Sequence, residues 1–180
     1  MKNKNKPVGG DLRDEIYYIC LNLMRKDLEI EAYILFLSTW NFAAFRYVMT
    51  SFDLEKFKKT LRKIESLYRK LKNVEFGTLD FDKYGMEIKE IYSTLASING
   101  IKSTGAPKLM HLKNPKLFVM WDSYIRKYYG FRKGDADDYI DFLRLMETKF
   151  RNQKPRKGLT LARTIDLMNM CRITEKAMRK

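Results

Sequence analysis

Cysteine and histidine are scarce in this 180-residue chain, which holds Cys20 and Cys171 as its only thiols and His111 as its only imidazole. Two thiols cannot build a four-cysteine zinc site or a four-cysteine iron–sulfur cluster, and no metal or cofactor is expected. They cannot form a disulfide framework either. With no signal-peptide pattern, the expectation is an intracellular, reducing location: cytoplasmic, or nucleoid-associated in a prokaryote. Long apolar runs are also missing. The nearest, residues 32–49, is interrupted by Ser38, Thr39, Asn41 and Arg46, so a buried helix is expected rather than a membrane span. No segment alternates apolar and polar residues between hairpin turns, which excludes a convincing sheet, and there is no internal repeat or low-complexity tract. Acids are nearly absent from one long stretch: residues 101–134 carry eight Lys or Arg and one carboxylate, Asp122.

What is present is apolar and basic. Hydrophobic residues make up 45% of the chain and 24 residues are Phe, Tyr or Trp, enough for one substantial core and too little chain to require two domains. A monomer is the simplest state. The net charge of +14 is uneven, with +7 in residues 101–134, +7 in the C-terminal segment 151–180, and −3 in residues 135–150 between them. Two such patches suit a polyanion such as nucleic acid; the plainer reading is a solvated basic face.

Taken in order, residues 1–10 lack apolar periodicity and read as a flexible basic arm, leaving 11–180 as the helical domain. A first helix follows, capped by Asp11, with Leu12, Ile16, Ile19, Cys20 and Leu23 inward. A second, apolar nearly all round, spans residues 29–49 and passes through the middle. Ser51 or Asp53 caps a third, in which Leu54, Phe57, Leu61, Ile64, Tyr68 and Leu71 recur at three and four. A fourth, with Tyr84, Ile88, Ile91, Tyr92, Leu95 and Ile98 on one stripe, delivers the chain into Asn99-Gly100. The fifth is expected to begin near Thr104 or Gly105, which leaves Pro107 in a first turn, and Asn114-Pro115 ends it. Asp122 opens a sixth that stops at Gly130. Asp135, Asp137 and Asp138 suit the start of a seventh. The last covers residues 159–178, with Leu161, Ile165, Met168 and Cys171 inward. The expected fold is therefore all-α, about eight helices with a central helix-hairpin-helix near residues 98–106.

That hairpin is the most informative stretch. A turn on Gly100 followed by a helix start can grip a phosphate through backbone N–H groups, and glycine lets the backbone approach closely. Residues Ile98-Asn99-Gly100-Ile101-Lys102-Ser103-Thr104-Gly105-Ala106, with Trp121-Asp122-Ser123-Tyr124-Ile125-Arg126 further on, resemble the helix-hairpin-helix DNA glycosylase superfamily, which includes endonuclease III and the adenine glycosylases. The family's hairpin reads Leu-Pro-Gly-Val-Gly-x-Lys-x-Ala, and its second segment reads Val-Asp-x-His-Val-x-Arg. Asn99 stands in place of its proline, Lys102 in place of its second glycine, Tyr124 in place of its histidine, and the cluster cysteines are absent.

The resemblance implies a DNA glycosylase acting on double-stranded DNA with a damaged or mispaired base. Asp122 falls on the catalytic aspartate, and Thr104 falls where bifunctional members carry a Schiff-base lysine, which implies a monofunctional mechanism. Lys108 or Lys102 is the candidate for a displaced nucleophile. Gly100, Ile101, Lys102, Ser103, Thr104, Gly105, Lys108 and Arg126 are the candidate DNA contacts; Trp40, Asn41, Trp121 and Tyr124 are candidates for a base pocket or wedge. A carboxylate beside the sugar stabilises the cation that develops as the base leaves. Other readings remain open at this level. Asp122 can be only an N-cap, His111 a packed helix residue, and the chain a non-catalytic helix-hairpin-helix module for DNA or RNA, or a basic adaptor for an acidic protein.

Overall fold

A computed structural model describes the backbone of residues 12–178 and the side chains as far as Arg172. The fold is all-α. Its helices are α1 (Leu12–Arg25), α2 (Glu29–Trp40), α3 (Phe42–Phe45), α4 (Leu54–Lys70), α5 (Phe81–Ala96), α6 (Lys102–Lys113), α7 (Ser123–Tyr129), α8 (Ala136–Lys149) and α9 (Leu161–Met178), with one 3-10 turn at Phe76–Thr78. No strand occurs among the described residues, and none of their helices is long and apolar enough to cross a membrane. The basic arm and Asp11 lie outside the described residues.

Caps and apolar spacing account for most boundaries. Asp53, not Ser51, caps α4 by accepting from Lys56 N, and Asp122 and Asp135 cap α7 and α8 in the same way. Gly130 closes α7 in the left-handed region. On α4 the residues Phe57, Leu61, Ile64 and Tyr68 are buried. Each such side chain contributes roughly 1.5–3 kcal/mol by leaving water. The centre is α5, whose Ile88, Ile91, Tyr92 and Leu95 are buried and which packs against α4, α6 and α8, while α2 packs on α1 and α6 and α9 on α7.

Four expectations are corrected. The apolar run at 29–49 is not one helix: it stops at Trp40, and residues 46–51 form turns after the short α3. The break falls at Asn41, whose side chain is turned away from the helix to serve a distant segment. On α1, Leu12 and Ile19 face solvent while Tyr17 joins Cys20 in the core, because Tyr17 O–H finds a buried partner in His111. On α9, Ile165 is buried and Leu161 and Met168 are half-buried against the core as expected, but Cys171 is exposed and the polar Arg163, Thr164, Asp166 and Asn169 are buried beside them.

The fourth correction concerns Pro107, which lies inside α6, not in its first turn. An interior proline leaves the carbonyl four residues earlier without its donor. Here that carbonyl is Ser103 O, and it is taken by Trp121 Nε1 at 2.8 Å, with Tyr92 Oη at 3.2 Å. Tyr92 has one proton and a shorter bond to Gly134 O at 2.7 Å, so the indole is the effective replacement donor.

Candidate functional site

The hairpin between α5 and α6 is a turn of residues 97–101 in which Gly100 has φ 87° and Lys102, the first residue of α6, has φ 52°. A side chain at Gly100 would collide with Val48, its Cβ falling 2.2 Å from Val48 Cγ2. Lys102 adopts the left-handed region although it is not glycine, a cost that its surroundings must hold in place. Asn41 does the holding. Its Nδ2 donates to Gly100 O at 2.9 Å and Ile101 O at 3.2 Å, and its Oδ1 accepts from Thr104 Oγ1 at 3.0 Å. From the other side Arg126 donates to Ser103 Oγ at 2.6 Å, which ties α7 to the start of α6. The N–H groups of Ser103 and Thr104 have no acceptor among the described residues.

The proposed DNA contacts therefore divide. Lys102 is exposed, and Ser103, Thr104 and Arg126 are half-buried, Arg126 being engaged within the fold. Gly100, Ile101, Gly105 and Lys108 are buried, and their side chains are not a DNA-facing surface. Gly105 packs against Asn41.

Lys108 points into something else: a pocket of about 480 Å³ walled by Trp40, Met120, Trp121, Ile125 and Met170, with Asp122, Lys108 and Asp166 among its polar residues. Of the four base-pocket candidates, Trp40 and Trp121 line it. Asn41 is spent on the hairpin, and Tyr124 stands on the outer face of α7, 71% exposed. Trp121 is fully buried and cannot act as a wedge.

Each polar group in the pocket has a physical setting. Asp122 is half-buried, with Oδ1 accepting from Tyr124 N and Ile125 N, both at 2.8 Å. Lys108 Nζ donates to Trp40 O, the last carbonyl of α2, where a cation also suits the helix dipole. Burial pushes its ammonium down to about 8, partly offset by Asp122 and Asp166. Asp166 is raised to about 6, first by burial and then by Asp122, against the opposing pull of Arg163 and Lys108. Arg163 pairs with Asp166 and with Asp14 Oδ1 at 2.8 Å, and its guanidinium stacks over Tyr17 and Trp40. Behind it, His111 Nδ1 faces Phe118 O at 2.6 Å and Nε2 faces Tyr17 Oη at 2.8 Å. A carbonyl only accepts, so Nδ1 carries the proton and His111 is neutral, its pKa lowered to about 3 by burial.

Asp14, Arg163 and Asp166 were not among the candidates read from sequence. A signal existed: Asp166 is one of two acids in the basic segment 151–180, three residues after an arginine.

A family model, described as a family of unknown function (DUF6308), matches residues 43–172, most of the chain. The chain belongs to the DUF6308 family. The part that matches the DUF6308 model contains the hairpin, Lys108, Asp122, Arg163 and Asp166, whereas Arg13, Asp14, Trp40 and Asn41 precede it. No curated protein and no solved structure matches the chain.

Proposed function

We propose that this protein is a monofunctional DNA glycosylase of the helix-hairpin-helix type, which flips a damaged or mispaired base into the α6–α7–α9 pocket and excises it with Asp122. The observation that carries this reading is the way α6 joins two features. Its first turn belongs to a hairpin with left-handed backbone at Gly100 and Lys102, and six residues later the same helix puts Lys108 in a pocket with Asp122. At 1.5 Å per residue those two points are roughly 9 Å apart along the helix. A strand held by the N–H groups of Ser103 and Thr104, with Lys102 as counter-charge, is thus about 9 Å along α6 from the lysine that shares the pocket with Asp122. A pocket of this volume is of the size that holds a small ligand, and Trp40 and Trp121 are among its walls. In the reaction Asp122 stabilises the oxocarbenium-like sugar as the C1′–N bond breaks, and water completes the hydrolysis.

A second reading is favoured by one observation. Asp122 Oδ1 accepts two backbone N–H bonds, as expected of an N-cap alone. The chain is then a non-catalytic module that binds DNA through the hairpin. Release of free base from duplexes carrying a panel of lesions separates the two. The expected result is release by the wild type that falls by about 10²-fold or more in Asp122→Asn, with DNA affinity held or raised. Base release undiminished in Asp122→Asn overturns the catalytic assignment; no release from any duplex, with binding intact, favours the module.

A further inference from the structure

Three carboxylates line the pocket: Asp14 is paired with Arg163, while Asp122 and Asp166 sit in unlike surroundings, and the glycosylase reading gives work only to Asp122. Asp122 sits at a helix N-terminus with two N–H donors on one oxygen and partial access to water. Asp166 is 2% exposed, on the inward face of the second turn of α9, and is kept in place by Arg163, which is itself clamped by Asp14 and two aromatic rings. A buried ion pair of this kind contributes little net stability, so stability alone does not account for it. Resting on the glycosylase reading, we propose that Asp166 is the general acid that protonates the departing base, so that the enzyme acts on uncharged bases, whose departure as anions is otherwise costly.

The step balances with water alone. The Asp166 carboxyl O–H proton passes to a ring nitrogen or carbonyl oxygen of the base, and the C1′–N bond breaks with its electron pair staying on the base. Water adds to C1′ and gives up a proton, which restores the Asp166 carboxyl. The products are an abasic deoxyribose and the neutral base. Asp122 meanwhile balances the sugar cation, so the two carboxylates divide the labour as they do in glycoside hydrolysis. The charged and titratable groups that face Asp166 agree with this division. Arg163 on its own helix and Lys108 from α6 favour its ionised form. Burial and Asp122 from the start of α7 favour the protonated form, and α1 contributes Tyr17, with Asp14 on Arg163. The balance raises the Asp166 carboxyl, burial first, in the direction a general acid requires.

The test compares a neutral base with its N7-alkylated, cationic counterpart, which leaves as a neutral molecule without a proton. Wild-type excision of the neutral base is expected to fall as pH rises above about 6, and excision of the cationic base to be flat over the same range. Asp166→Asn should lose about 10²-fold or more on the neutral base, together with the descending limb of its pH profile, and stay within a few-fold of wild type on the cationic base. Activity on the cationic base also shows that the variant folds. If it does not fold, the two wild-type profiles decide: parallel profiles overturn the proposal. Equal loss on both bases, or a descending limb that persists in Asp166→Asn, overturns the general acid and leaves the glycosylase reading standing. No release of any base by the wild type overturns the glycosylase reading, and the acid with it.

Discussion

The substitution of a side-chain donor for a backbone one in α6 makes a quantitative prediction. Pro107 denies Ser103 O its helical partner, and Trp121 Nε1 supplies the bond at 2.8 Å. Trp121→Phe keeps an aromatic ring in the core but removes that donor. The lost hydrogen bond is worth about 1 kcal/mol, and the smaller ring adds a cavity cost, for a total of about 2–3 kcal/mol. Pro107→Ala restores an N–H aimed at the same carbonyl. In that background Trp121→Phe should cost only the cavity part, so the two substitutions should couple by about 1 kcal/mol. Urea unfolding of the four proteins of the cycle, with unchanged m-values, measures this directly. Additivity to within about 0.3 kcal/mol would refute the idea that the indole replaces the missing helical bond.

Asn41→Ala should destabilise the fold by about 1–3 kcal/mol, because it strands the Gly100 carbonyl and leaves Ile101 O with the Gly105 N–H alone, and should weaken duplex binding beyond what its stability loss explains; filter binding at a temperature where the variant is folded checks this, and full affinity would detach the brace from the DNA surface. Acid should act on His111. Its folded pKa of about 3 lies below the ordinary 6.5, so the stability of its neutral form is complete above pH 6.5 and is lost at about 1.4 kcal/mol per unit as pH falls towards 3. Asp166, raised to about 6 from 3.8, works in the opposite direction between those values, gaining stability as pH falls. His111→Gln, which can still accept from Tyr17 and donate to Phe118, should therefore close on the wild type as pH drops below 6.5; urea midpoints that stay parallel from pH 8 to pH 4 would contradict it.

The legible part of this fold is local. Asp53, Asp122, Asp135 and Gly130 terminate helices through atoms within three residues of themselves, and the stripes of α4 and α5 follow from the 3.6-residue period. What was misread depends on partners far away in sequence. Nothing near Asn41 says that its amide serves carbonyls 59 and 60 residues on, and so ends an apolar helix that periodicity extends to Met49. Nothing near Pro107 says that an indole fourteen residues later tolerates it inside α6. The pocket divides in the same way. Asp122 was visible as the one acid in a basic stretch, but Arg163 and Asp166 have the i, i+3 spacing of an ordinary surface pair, and only tertiary packing turns that pair inward. Lys108 reads as a phosphate contact because buried and exposed lysines look alike in one dimension.

The bond from Arg163 to Asp14 joins residues 149 positions apart. A growing chain makes α1 and α2 early, and they pack on each other; α5 and α6 follow as a second local pair. All of these can assemble while the remainder is still being translated, but the pocket has no wall on one side until α9 is released and docks. Lys108 and Asp122 are therefore wet, separately solvated charges from the time they are made until α9 docks, and acquire their unusual surroundings in a single late event. Cleavage in residues 151–160 would undo that event without touching either residue, which makes the connection before α9 a point at which a cell, or an experimenter, can extinguish the site while leaving the hairpin in place.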